Sequence, residues 1–76
     1  MKEIKLSDIT FPIYEELIKR LIRSNTSAVV LGERTYLVNP QGQISLLGGT
    51  AMSEEDFNFF KLYLVNTYDP EHKLFE

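Results

Sequence analysis

Apolar residues follow two different periods along this chain. Over residues 11–24, Ile13, Tyr14, Leu17, Ile18, Leu21 and Ile22 fall within one half-turn of a helical wheel. Glu15, Glu16, Lys19, Arg20 and Arg23 fill the other half, so the segment reads as a surface helix with one buried face. Glu15–Lys19 and Glu16–Arg20 are i,i+4 pairs in the favourable order, each contributing about 0.2–0.5 kcal/mol. Thr10 is placed to N-cap this helix, Pro12 sits in its first turn, and Ser24-Asn25-Thr26-Ser27 ends it.

Residues 28–47 change to a short period and predict a three-stranded antiparallel meander. Ala28-Val29-Val30-Leu31 forms the first strand and Gly32-Glu33 a tight turn. Thr35 to Asn39 forms the second strand, Pro40-Gln41-Gly42-Gln43 supplies turn chemistry, and Ile44 to Leu47 closes the sheet. Alternation points Tyr36, Val38, Ile44 and Leu46 inward. It places Leu37 and Leu47 on the outward face with Thr35, Asn39 and Ser45. Ile4 and Leu6 alternate with Lys5, which marks residues 2–6 as a candidate fourth strand at the N-terminus.

After Gly48-Gly49-Thr50-Ala51, a second helix is announced by Ser53 as N-cap, Asp56 at the capping-box position and a Met52–Phe57 staple. Glu54, Glu55 and Asp56 occupy the first turn, where the helix dipole favours acids. The helix runs to about Tyr68 and stops at Asp69-Pro70. The expected fold is α+β, in the order (β)-α-β-β-β-α, over one domain of 76 residues with a polar tail at 69–76. Leu74 and Phe75 in that tail are able to dock back.

The second helix lacks a clean polar face. Phe57, Phe60, Leu64 and Tyr68 make one stripe, widened by Phe59 and Tyr63, while Leu62 and Val65 lie opposite among polar residues. A helix that is apolar nearly all round needs cover on more than one side. One other helix and a small sheet offer little of it. Leu62 and Val65, rimmed by Glu54 and Glu55, are therefore expected to meet a second chain, either another protein or a second copy. The plainer alternative is that they are isolated exposed apolar residues. Leu37 and Leu47 are the second choice, since packing both helices on one sheet face leaves them open.

Composition narrows the chemistry. Eight basic against eleven acidic residues give a net charge of −3, which disfavours generic binding to nucleic acid or a membrane surface. There is no cysteine, hence no disulfide, thiol nucleophile or thiolate zinc site. The single His72 sits in the polar tail and reads as solvated. Glu54, Glu55 and Asp56 are consecutive on a helix and point about 100° apart, so they do not converge on a cation. Gly48-Gly49-Thr50 lacks the Lys-Ser/Thr of a phosphate loop and is followed by acids that repel phosphate. The serines have no histidine base. No cofactor, metal, small-molecule substrate or catalytic activity is expected. No apolar stretch exceeds four residues and the N-terminus has no signal-like core, so a cytoplasmic location is expected.

Charge is unevenly spread. Residues 1–34 carry six bases and five acids, net +1, and residues 35–76 carry two bases and six acids, net −4. Residues 35–53 carry no charge at all, which suits docking on a protein surface. The reading is a non-catalytic interaction module, a regulator or inhibitor that occupies a partner's surface. In general character it resembles small acidic inhibitors made by bacteria and their phages. The alternative is a dimeric regulator that contacts DNA through Lys19, Arg20, Arg23 and Arg34. Over residues 3–47 the order strand, helix, hairpin resembles antitoxins of the prevent-host-death type. That resemblance implies an N-terminal DNA-binding unit and a dimerising hairpin. Glu15 and Glu16 interrupt the basic helix surface such a role requires, and no site residue is carried over.

Overall fold

A computed structural model describes residues 4–75. Helix α1 spans Phe11–Arg23, strands β1, β2 and β3 span Ala28–Leu31, Arg34–Val38 and Ile44–Leu46, and helix α2 spans Glu54–Tyr68. Short 3-10 turns at Leu6–Asp8 and Lys73–Phe75 flank them. The fold is α+β, with a three-stranded antiparallel sheet in the order β1-β2-β3.

The candidate N-terminal strand is not formed among the described residues. Residues 4 and 5 have no regular structure, Leu6 to Asp8 turn into a 3-10 helix, and residues 2 and 3 lie outside the described range. Asp8 supplies the local reason. Its carboxylate accepts the Lys5 backbone N–H at 3.2 Å, and its own N–H bonds the Lys5 carbonyl at 2.9 Å. A residue that satisfies its neighbours' backbone locally competes with strand pairing. The strand–helix start of the antitoxin resemblance is therefore missing from the described residues.

Register puts Ala28 opposite Leu37, Val29 opposite Tyr36, Tyr36 opposite Leu46, and Leu37 opposite Ser45. One face thus carries Val29, Tyr36, Val38 and Leu46, all buried. They pack with Leu17, Ile18 and Leu21 of α1 and with Phe60, Leu64 and Val65 of α2. Both helices lie on this face. The chain reverses direction at each step of the meander, and three strands between two helices bring α2 back parallel to α1. Tyr14 therefore meets Phe57 near the two helix starts, with ring centroids 5.3 Å apart. At the two ends, the Arg20 guanidinium donates to the Tyr68 carbonyl at 2.7 Å.

Local chemistry fixes the joints. Gly32 takes φ +62 at the first position of the two-residue β1–β2 turn, where a Cβ would be strained. Gly42 has φ +86, and a Cβ there would come within 3.0 Å of the Ile18 side chain, so glycine lets the β2–β3 turn rest on α1. Asn39 holds that turn by accepting from the backbone N–H groups of Gln41 and Gln43 at 3.1 and 2.9 Å. The capping box forms as expected: Asp56 N–H donates to the Ser53 hydroxyl at 3.1 Å, and Ser53 N–H donates to the Asp56 carboxylate at 3.3 Å.

The polar tail is folded, not loose. Asp69 is buried, and its carboxylate accepts the backbone N–H groups of Lys73 and Leu74 at 2.9 and 3.0 Å. This turns the chain so that Leu74 and Phe75 pack against the core.

Candidate partner-binding surface

The expected interface on α2 is not open. Val65 is 2% exposed and belongs to the core, and Leu62 is half-buried against it. The placement of Val65 on a free face is thus corrected. The cover comes from the chain's own ends. The Leu6–Asp8 turn lies on α2, Ile9 is buried in the same core, and Ile4, Leu74 and Phe75 pack around it. Burying apolar side chains from both ends supplies the cover that the helix and sheet lack. Glu54 and Glu55 remain exposed at the start of α2.

Asp56, their neighbour in the acidic run, has a structural role. Its carboxylate is held below the usual range, first by hydrogen bonding from the Ser53 side chain. The Ser53 backbone N–H and the nearby Arg34 guanidinium add to this, against the opposing effect of burial. Arg34 forms an ion pair with Asp56 and lies over the Phe59 ring, 5.4 Å from its centroid. Tyr36 is fully buried and its hydroxyl donates to the Asp56 carbonyl at 2.7 Å. Burial pushes the Tyr36 phenol up, with the Asp56 charge adding and Arg34 opposing. These groups tie β2 to the start of α2.

Of the basic residues of the alternative reading, Lys19, Arg20 and Arg23 share the polar side of α1, while Arg34 is placed apart from them. Arg34 is held at Asp56, and Arg20 bonds the Tyr68 carbonyl, twelve residues further along α2. At 1.5 Å per residue these two anchor points are about 18 Å apart. Arg20 and Lys19 also pair with Glu16 and Glu15, each at 3.6 Å. The pairs foreseen from the i,i+4 spacing form, and each lowers the free positive charge of α1.

The surface that does stand open is the outer face of the sheet. Its rows are Ala28, Leu37 and Ser45, then Val30 and Thr35, with Leu47 continuing the second row through its N–H bond to the Thr35 carbonyl at 2.9 Å. Val30 is 69% and Leu47 62% exposed, while Leu37, in the central strand, is half-buried between its neighbours. No residue of this face is charged. Leu37 and Leu47 thus lie where alternation places them. Val30 and Ala28 join them, and counting β1 by the same period-2 rule from its pairing with β2 would have identified both.

A shallow hollow of about 640 Å³ borders the β2–β3 hairpin and is walled by Tyr14 and Phe57 on the helix side, with Ile44 and Asn39 among its sheet residues. Its lining contains no carboxylate, lysine, arginine or histidine, and Tyr14 carries the one titratable side chain among the lining residues. Among the described residues, no three His, Cys, Asp or Glu side chains are grouped as metal ligands, and no helix is long and apolar enough to cross a membrane. No protein-family model matches this sequence, and neither the curated proteins nor the solved structures contain a match to it.

Proposed function

We propose that this chain is a non-catalytic protein-binding module of the cytoplasm, a small regulator or inhibitor that works by occupying a partner's surface. The observation that carries the reading is the charge-free outer sheet face, with Val30 and Leu47 largely solvent-exposed. An apolar patch whose polar groups are the hydroxyls of Thr35 and Ser45 gains from desolvation and leaves few polar groups to satisfy. Leu37 and Leu47 are its centre. Glu54 and Glu55 add an acidic flank that favours a partner with basic residues near an apolar patch.

A photo-crosslinking side chain at Leu47, with Asn66 on α2 as the control site, tests this in the full chain. The captured protein is then purified and titrated against the wild type and Leu47→Lys. The expected result is crosslinking from Leu47 alone and at least about tenfold weaker binding by Leu47→Lys, a loss of about 1.4 kcal/mol. Equal crosslinking from Asn66, or unchanged affinity of Leu47→Lys, overturns the proposal.

A further inference from the structure

The two edges of the sheet are not equivalent. In an antiparallel ladder, alternate residues turn their N–H and C=O groups toward the neighbouring strand and the rest turn them away. The Val38 N–H donates to the Ser27 carbonyl at 2.8 Å, which sets the parity: residues 27, 29 and 31 face β2. Ala28 and Val30 therefore direct their backbone groups outward from β1. Neither residue's N–H or C=O bonds to a turn, cap or side chain among the described residues. On β3 the same parity directs Ile44 and Leu46 outward, but the Leu46 carbonyl already accepts the Gly49 N–H at 3.2 Å. The β3 edge is also one residue shorter.

Exposed edges normally carry a charged side chain, a proline or a bulge that prevents pairing. β1 carries none of these, and its pairing with β2 runs without interruption from Ala28 to Leu31. No charge occurs from Ser24 to Gly32 in a chain whose net charge is −3. Two copies therefore meet along this edge without opposing like charges from β1.

We propose that β1 pairs antiparallel with β1 of a second copy, joining two sheets into one of six strands. Only one register uses every free group. A two-fold axis through Val29 sets Ala28 opposite Val30 of the other copy, and each such pair exchanges two backbone hydrogen bonds. The contact is isologous and closes as a dimer, without growing into a fibre. Covering a four-residue edge falls short of the roughly 1,600 Å² of a standard stable interface, so the dimer is a weak one whose population depends on concentration. The outer faces of the two sheets become continuous, and the partner-binding surface of the preceding section is doubled in width.

The test is sedimentation velocity on the full chain over a wide concentration range, with site-resolved amide hydrogen exchange at the two ends of that range. The expected result is a monomer–dimer equilibrium in which the Ala28 and Val30 amides slow on dimerisation. Val30→Pro removes two intermolecular donors per dimer and is expected to weaken association about tenfold or more. Val30→Lys, which keeps every internal ladder bond, is expected to weaken association by about twofold at low salt through like-charge repulsion across the two-fold axis, and circular dichroism verifies that both remain folded. Leu47→Lys leaves the dimer intact while weakening partner binding, which separates this proposal from the functional one. A monomer at every concentration, a dimer whose Ala28 and Val30 amides stay fast, or dimerisation unchanged in Val30→Lys would each overturn it.

Discussion

Two apolar surfaces of this molecule look alike in the sequence and have opposite fates. On α2, Leu62 and Val65 sit among polar residues, yet Val65 is buried at 2% exposure. On the sheet, Val30, Leu37 and Leu47 share a face with Thr35 and Ser45, and Val30 and Leu47 stand open at 69% and 62%. The difference lies in what the chain has left to cover them. Its two ends, around Ile4 to Ile9 and Leu74 to Phe75, both contribute to the helical side of the sheet. Among the described residues, no element lies across the other side. The described segments thus pack on the helical side of the sheet, and Val30 and Leu47 on its other side stay exposed.

The sharpest way to break the comparison is to place the same charge on both surfaces. Val65→Asp puts a carboxylate into a closed core and is expected to cost at least about 3 kcal/mol, enough to unfold much of a small domain. Leu47→Asp is expected to stay within about 0.5 kcal/mol of the wild type, as is usual for exposed positions. Urea unfolding of the two variants checks both. If Leu47→Asp is as damaging as Val65→Asp, the outer sheet face is not free.

A second prediction concerns the cover itself. Asp69→Ala removes two backbone hydrogen bonds that turn the tail inward, with an expected cost of about 2 kcal/mol. Leu74 and Phe75 should then become more accessible to chymotrypsin, and Val65 should gain hydrogen exchange. Retained protection of the tail in Asp69→Ala would show that Leu74 and Phe75 dock without this clamp.

Tyr36→Phe probes the tie between sheet and helix. It deletes only the hydroxyl that donates to the Asp56 carbonyl, and about 1 kcal/mol of stability should go with it. Thermal unfolding at matched concentration reads the loss, and an unchanged midpoint would mean the bond is replaced at no cost.

The smallest effect is a pH dependence. Asp56 titrates below the ordinary carboxylate value of about 4 in the folded chain, so folding favours its ionised form. Its contribution is complete above that ordinary value and is lost as pH falls through the lower folded value. Acid unfolding of the wild type should therefore be steeper below about pH 4 than that of Asp56→Asn, in which this site no longer titrates. Parallel acid profiles would remove Asp56 from the account.

The sequence pattern was a good guide wherever structure depends on near neighbours. Both helices, the three strands, the Ser53 cap and the sheet alternation follow from local period and turn chemistry, and each occurs within one or two residues of its expected place. The pattern misled where cover comes from distant segments. Residues 4–9 alternate briefly like a strand, but Asp8 bonds back to Lys5 and folds them into a turn on α2. The tail, with Asp69, Glu71, His72 and Lys73, reads as polar apart from Leu74 and Phe75, which dock back, and nothing local reveals that both Asp69 oxygens accept backbone N–H groups to bring them in. Val65 therefore lies in the core although the wheel puts it on a free face, while Leu37 and Leu47, governed by simple alternation, lie on the outward face.

The central claim is that the apolar side of α2 is closed by the chain itself while the outer sheet face is open. Carbene footprinting of the native chain, read residue by residue at a concentration low enough to keep it monomeric, measures both surfaces at once. Strong labelling of Val30 and Leu47 and background labelling of Val65 and Leu64 are expected. Labelling of Val65 at the level of Leu47 would contradict the claim.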